Sequence, residues 1–212
     1  MPDLASHHIP DSVIRMFPNL TWRKNDDSKT IYLTFDDGPI PGLTEEILAI
    51  LDDHAIKATF FCVGENVEKH PKVFEKVRIQ GHQFGNHTYN HLKAWKVSNQ
   101  HYFQNVLQAN QVMEQKIGEK IRLFRPPYGQ MTYGLSKAIR GIGLDIVMWD
   151  VLSRDYNPRL NKEKALRKCV SYSQAGSIIV YHDNLKARNN VLDLLPKYIN
   201  SLIKEGYNFS TL

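Results

Sequence analysis

The chain has 212 residues, 42% hydrophobic and 23% charged, with a formal net charge of +5. That length can bury the core of one large domain or two small ones, and the composition excludes a disordered chain. The charge is too diffuse for a nucleic-acid binder, and no apolar stretch approaches the roughly 18 residues of a membrane span. Two cysteines far apart in the chain, Cys62 and Cys169, do not make a disulfide framework.

Residues 1–29 carry Pro2, Pro10 and Pro18 and show no clear period. They are expected to form an irregular arm packed on the domain, with a helical turn near 12–17 and with His7 and His8 at the surface. No basic stretch followed by an apolar one opens the chain, so no secretory leader is expected in the sequence as it stands. Residues 30–35 form an apolar, strand-forming run that ends in Asp36-Asp37-Gly38-Pro39. Such a run suits a strand buried on both faces of a parallel sheet. Asp-Asp-Gly-Pro alone is also ordinary turn chemistry. Two adjacent carboxylates, however, repel unless a cation or a proton relieves them.

Beyond the turn, Thr44 is the expected N-cap of a helix carrying Ile47, Leu48, Ile50 and Leu51. A buried run follows at 58–63, then a helix over 65–79 with a break at Pro71 and Gly81 as its C′ residue. A short strand near 82–85 leads into His87-Thr-Tyr-Asn-His91. A long helix over 98–117 stops at Gly118. The strand at 121–124 meets Arg125-Pro-Pro-Tyr-Gly129, where two prolines exclude both helix and central ladder. A helix near 133–140, a strand at 144–149, a loop at 150–158, and an Asn161-capped helix to 174 come next. The basic residues Lys162, Lys164, Arg167 and Lys168 fall on that helix as a solvated face. A buried run at 177–181 ends in His182-Asp183, and a helix over 191–204 and a closing strand at 208–212 finish the chain.

Strand and helix alternate throughout, which predicts a parallel α/β sheet or barrel of about seven strands. No glycine-rich dinucleotide or phosphate loop follows the first strand. Polar groups recur after successive strands: Asp36 and Asp37, His87 and His91, Arg125 and Tyr128, Asp155, and His182. Packing gives no reason to put all of them at one rim. His87 and His91, four apart, can turn both imidazoles to one side of a helix or tight turn. With one carboxylate they form a three-ligand set that suits a divalent metal.

The motifs Thr34-Phe-Asp-Asp-Gly-Pro39, His87-Thr-Tyr-Asn-His91, Arg125-Pro-Pro-Tyr-Gly129 and Tyr181-His-Asp183 resemble those of the polysaccharide deacetylases. These are the NodB-homology domain enzymes, or family 4 carbohydrate esterases, and the order of the motifs is theirs. The resemblance spans residues 30–212. It implies a deformed (β/α) barrel and metal-dependent removal of N-acetyl groups from GlcNAc-containing polymers, either peptidoglycan or chitin-like. It further implies Asp37, His87 and His91 as metal ligands, for Zn²⁺ or alternatively Co²⁺ or Ni²⁺. Asp36 would be the base toward the attacking water and Arg125 its partner. The Tyr128 N–H would hold the oxyanion, His182 would be the acid toward the leaving amine, and Asp155 would orient it.

Two positions depart from the family pattern. The expected Asp-x-x-Asp-Trp reads Leu152-Ser-Arg-Asp-Tyr156, and a Leu two places before the last motif's His is Val180. Both bear on the acetyl and sugar pocket. Tyr156, Tyr133, Tyr128 and Val180 are the expected substrate contacts, among rim aromatics that include Tyr89 and Trp95. Two other functions compete: an O-acetyl esterase on xylan-type glycans, and a catalytically silent glycan-binding module. The family usually works outside the cytoplasm.

Overall fold

The computed structural model describes residues 6–25 and 28–212; Pro2 of the expected arm lies outside the described residues. Seven strands form one curled parallel sheet: β1 (Thr30–Asp36), β2 (Thr59–Cys62), β3 (Gln83–Asn86), β4 (Leu123–Phe124), β5 (Asp145–Ile146), β6 (Val151–Leu152) and β7 (Ile178–His182). Their order is β5-β4-β3-β2-β1-β7-β6, and a short β8 (Asn208–Ser210) pairs with the start of β1. This is the half-barrel that the strand–helix alternation predicts. Every residue of β1 is buried, as a central parallel strand covered on both faces requires.

Helices connect the strands: α1 (Asp11–Met16) in the arm, then α2 (Leu43–Asp53), α3 (Gly64–Lys69), α4 (Pro71–Ile79), α5 (Asn99–Ile117), α6 (Tyr133–Gly141), α7 (Lys162–Tyr172) and α8 (Arg188–Lys204). Most local signals act as expected. Pro71 starts α4 after a break. Ser98 caps α5 by accepting from His101 N–H, and Gly118 ends it in the left-handed region. Asn161 caps α7. Cys62 and Cys169 are free and buried.

Three expectations change. Thr44 is not the N-cap of α2. Gly42 holds that place at φ 80°, and Glu45 accepts its N–H at 2.7 Å. The strand expected at 144–149 is only Asp145–Ile146. The chain then leaves that edge and forms β6, within the expected loop, against β7 at the opposite edge. A largely apolar run cannot show which of two edges it serves, because periodicity does not encode the partner. His7 and His8 are not surface residues. The arm lies across the opening between the two edges, where Thr21 bridges to Val147 and His8 to Val151. His7 is buried there with Nδ1 2.9 Å from Leu152 O, and His8 stacks on Tyr172. Ile9, Val13 and Trp22 join the core.

Candidate active site

β1 ends at Asp36, and Asp37 turns away from the strand at φ 90°. The next residue must be glycine. A Cβ on Gly38 would stand 1.7 Å from Asp183 Oδ2. Asp183 accepts from Gly38 N–H and from Thr44 Oγ1–H, both at 2.7 Å. Thr44 Oγ1 in turn accepts from Ile40 N–H at 2.8 Å. Thr44 thus ties the Asp-Asp turn to the far side of the rim. Burial pushes the Asp183 carboxyl up to about 7, against those two hydrogen bonds.

His87 and His91 lie on a turn after β3, not on a helix. Asn86 accepts from Thr88 N–H at 2.7 Å, and Thr88 Oγ1 accepts from Leu92 N–H at 3.1 Å. The turn brings both Nε2 atoms to Asp37 Oδ1, His91 at 3.0 Å and His87 at 3.4 Å. His87 Nδ1 is 2.8 Å from Arg125 O, so it carries the proton and leaves the Nε2 lone pair facing the carboxylate. Asp37 Oδ1 is buried and makes no hydrogen bond. A carboxylate oxygen and an imidazole lone pair facing each other in a buried space are what a bound cation would relieve. The three ligand atoms lie within 4.8 Å of one another, so the donor set fits a divalent metal. Burial raises the Asp37 pKa; with no cation present, protonated His87 and His91 donating to it, together with the charge of His182, hold it well below the usual carboxylate range. Asn184, missed in the sequence, donates to Asp37 Oδ2 at 2.5 Å.

Arg125 is fully buried, stacked 4.0 Å over the Phe61 ring. Its Nη1 donates to Asp36 Oδ1 and to Thr34 Oγ1, each at 2.7 Å. Nη2 donates to Met148 O and Nε to Val147 O. Burial pulls the guanidinium below its ordinary value, and the charge of Asp36 offsets part of that. The segment whose carbonyls hold Arg125 is itself pinned by the arm. Met148 N–H donates to Thr21 O at 2.7 Å, and Thr21 N–H donates to Ile146 O at 2.9 Å. Arg23 reaches buried Asp150 at 2.5 Å, and Asp150 also accepts from Ser177 and Ile178.

Asp155 is buried and spends both oxygens on one residue. It accepts His182 Nδ1–H at 2.7 Å and His182 N–H at 2.8 Å. Burial alone would discharge the imidazole, but the Asp155 charge and hydrogen bond outweigh it and raise His182 to about 9. The Tyr156 ring meets the imidazole edge-on at 5.1 Å.

Asp36, Asp37, His87, His91, His182 and Tyr156 line one cavity of about 580 Å³, with Tyr128, Trp149, Leu152, Val180, Asn184 and Lys186. The predicted contacts Tyr128, Tyr156 and Val180 all reach it. Tyr133 does not: it stands on a neighbouring groove with Trp95. Tyr89 turns outward to donate to Glu68. Among the described residues, six non-glycines have positive φ: Asp37, Ala55, Thr88, His91, Tyr128 and Arg154. All but Ala55 carry the site or adjoin a site residue, so the strain gathers where side chains must be aimed. Trp149, Lys186 and Asn184 escaped sequence reasoning, and Asp183 was read within the last motif without a role. Only Asn184 directly follows a recognised motif.

The polysaccharide deacetylase family profile matches residues 23–147, more than half of the chain. The chain belongs to the polysaccharide deacetylase family. A peptidoglycan-N-acetylglucosamine deacetylase of Bacillus cereus is 33% identical over 196 residues, covering 91% of each chain. A chitooligosaccharide deacetylase of Azorhizobium caulinodans is 32% identical over 163 residues, covering 76% of this chain and 77% of that one. The crystal structure of the Bc1960 peptidoglycan N-acetylglucosamine deacetylase, bound to 4-naphthalen-1-yl-N-oxidanyl-benzamide, superposes with a TM-score of 0.88. It is 30% identical, over 96% of this chain and 95% of that one. The curled parallel half-barrel is therefore the fold of polysaccharide deacetylases.

Proposed function

We propose that this protein is a metal-dependent hydrolase that removes N-acetyl groups from GlcNAc-containing glycans, with peptidoglycan the first polymer to test. One observation carries the reading. Asp37, His87 and His91 converge around a buried, unsatisfied carboxylate oxygen, in one cavity with Asp36 and His182, which Arg125 and Asp155 back from behind. The Bacillus cereus and Azorhizobium relatives support amide hydrolysis on acetylated amino sugars, and the former's coverage of 91% favours peptidoglycan.

Asp37, His87 and His91 would hold the ion. A divalent cation there supplies Lewis-acid polarisation of the acetyl carbonyl and lowers the pKa of water. Zn²⁺ is the first choice for one carboxylate and two imidazoles, with Co²⁺ or Ni²⁺ as substitutes. Asp36 takes the proton of the attacking water at its second oxygen, because Oδ1 is committed to Arg125. The Tyr128 backbone, turned into the left-handed region at the cavity edge, offers its N–H to the oxyanion. His182 delivers a proton to the leaving amine, and Asp155 keeps that proton available at neutral pH. Trp149, Leu152, Tyr156 and Val180 give the cavity an apolar wall for the acetyl methyl.

The His182–Asp155 pair also separates this reading from an O-acetyl esterase, since an alkoxide leaves more readily than an amine without a full proton. The test compares acetate release from GlcNAc oligomers, peptidoglycan and acetylxylan by the wild type and by His182→Ala. Release from the N-acetylated substrates that His182→Ala abolishes supports the reading. Release from acetylxylan alone, insensitive to that change, overturns it.

A further inference from the structure

Asp37 is held at every polar atom but one. Its N–H donates to Phe61 O at 3.3 Å, and its carbonyl accepts from Asn66 Nδ2 at 2.7 Å. Those two bonds hold the backbone in its turn at φ 90°. They do not fix the carboxyl group; the Asn184 side chain does. Its Nδ2 donates to Asp37 Oδ2 at 2.5 Å. Only Oδ1 is then left without a hydrogen bond, and that oxygen faces His91 Nε2 at 3.0 Å and His87 Nε2 at 3.4 Å.

The Asn184 amide can point only one way. Its Oδ1 accepts the Ala187 N–H at 3.0 Å while Nδ2 meets the carboxylate. Turning the amide over would set oxygen against oxygen and N–H against N–H, so the network fixes the assignment. Ala187 is fully buried and stands at the N-terminal end of α8. The donor is thus anchored to a helix start, 147 residues along the chain from the carboxylate it holds.

The charge of the donor matters as well. Asp36 is bonded to a guanidinium, which neutralises it. Asn184 holds Asp37 with a neutral amide, which orients the carboxylate and leaves its negative charge for a cation. A carboxylate with two free oxygens can turn both toward an ion. With Oδ2 committed, Asp37 offers one.

We infer that Asn184 is a positioning residue for the metal site, which makes Asp37 a one-oxygen ligand and biases the site toward ions that favour imidazole. The inference rests on the proposed reading of Asp37, His87 and His91 as metal ligands. Imidazole suits Zn²⁺, whereas carboxylate, carbonyl and water oxygens suit Mn²⁺. Releasing Oδ2 adds an oxygen to the donor set and so favours Mn²⁺ relative to Zn²⁺.

The experiment uses the full chain with three substitutions. Asn184→Ala loses both side-chain bonds. Asn184→Ser has a hydroxyl that can still accept the Ala187 N–H but no amide for Asp37. Asn66→Ala loosens the Asp37 backbone and leaves the Asn184 bond in place. Zn²⁺ and Mn²⁺ affinities are measured by competition with a chromogenic chelator, and the visible absorption of the Co²⁺ protein reports the ligands around the ion. Asn184→Ala and Asn184→Ser are both expected to weaken Zn²⁺ binding by about 10- to 100-fold, to lose less on Mn²⁺, and to change the Co²⁺ spectrum. Asn66→Ala should keep the wild-type Zn²⁺-to-Mn²⁺ preference and spectrum even where it weakens both ions. Wild-type preference and spectrum in Asn184→Ser would overturn the inference, because the side chain would then serve only the turn into α8. An equal loss of both ions in all three variants would overturn it too. If the wild type takes up none of the three ions, the metal reading itself fails and this inference with it.

Discussion

Asp36 and Asp155 are both buried carboxylates 2.7 Å from a cationic partner, yet their surroundings differ in what is left over. Asp36 gives one oxygen to Arg125, which is otherwise satisfied by Thr34, Val147 and Met148. Its other oxygen is 4.0 Å from His87 Nε2 and belongs to the cavity. Asp155 gives both oxygens to His182 and keeps nothing for substrate. In the proposed reaction the first pair would hold a carboxylate that accepts a proton. The second would hold an imidazole that gives one. The lesson is that a buried ion pair assigns its chemistry through the atoms it leaves uncommitted.

The largest effect is expected where both pairs lose their common target. His91→Ala should drop the bound metal and lower kcat by ~10³-fold or more, since several kcal/mol of transition-state stabilisation go with it. Metal content by atomic emission, beside acetate release, checks both. Asp36→Asn should keep the metal but lower kcat by about 10³- to 10⁴-fold, the upper range for a lost general base. Full activity in that variant would remove Asp36 from its role. Arg125→Met tests the other half of the same pair. It leaves Asp36 buried without its cation, at a cost of about 3–5 kcal/mol of stability in urea unfolding.

The Asp155 pair should show itself in pH dependence more than in stability. Because His182 is raised to about 9, the acid form persists through neutrality and is lost as pH rises through that value. The linked stabilisation has the same sign. It is complete below the ordinary imidazole value of 6.5 and disappears as pH climbs through about 9. Asp155→Asn should lower kcat by about 10²-fold on the amide and move the alkaline limb of the rate profile downward. An unmoved limb would break the comparison. The smallest effect belongs to the wall: Val180→Leu should change kcat/KM by no more than about tenfold, since a methylene-sized change in an apolar pocket has limited leverage.

How much of this was legible in the sequence follows from the range of the signals. β1, the long α5 and the breaks at Pro71 and Gly118 rest on local rules, and they stand where expected. The convergence of Asp37, His87 and His91 and the two ion pairs were legible because their residues follow successive strands. What was hidden depends on contacts across the chain. Leu144 to Leu152 is apolar but for Asp145 and Asp150, and nothing local shows that it serves both edges of the sheet. Thr44 has the chemistry of a cap, and its bond to Asp183, 139 residues away, recruited it elsewhere. Tyr133 follows Tyr128 closely, but the turn at Tyr128 sends the chain into the adjoining groove. His7 looked like a surface residue because the arm has no period, yet it is packed against Leu152.

The measurement that tests the account most directly is acetate release from GlcNAc oligomers and peptidoglycan by protein stripped with a chelator, before and after Zn²⁺ or Co²⁺ is returned. The account predicts no release from stripped protein and restored release with either metal. Undiminished release from protein shown to be metal-free, or none with any metal on either substrate, would contradict it.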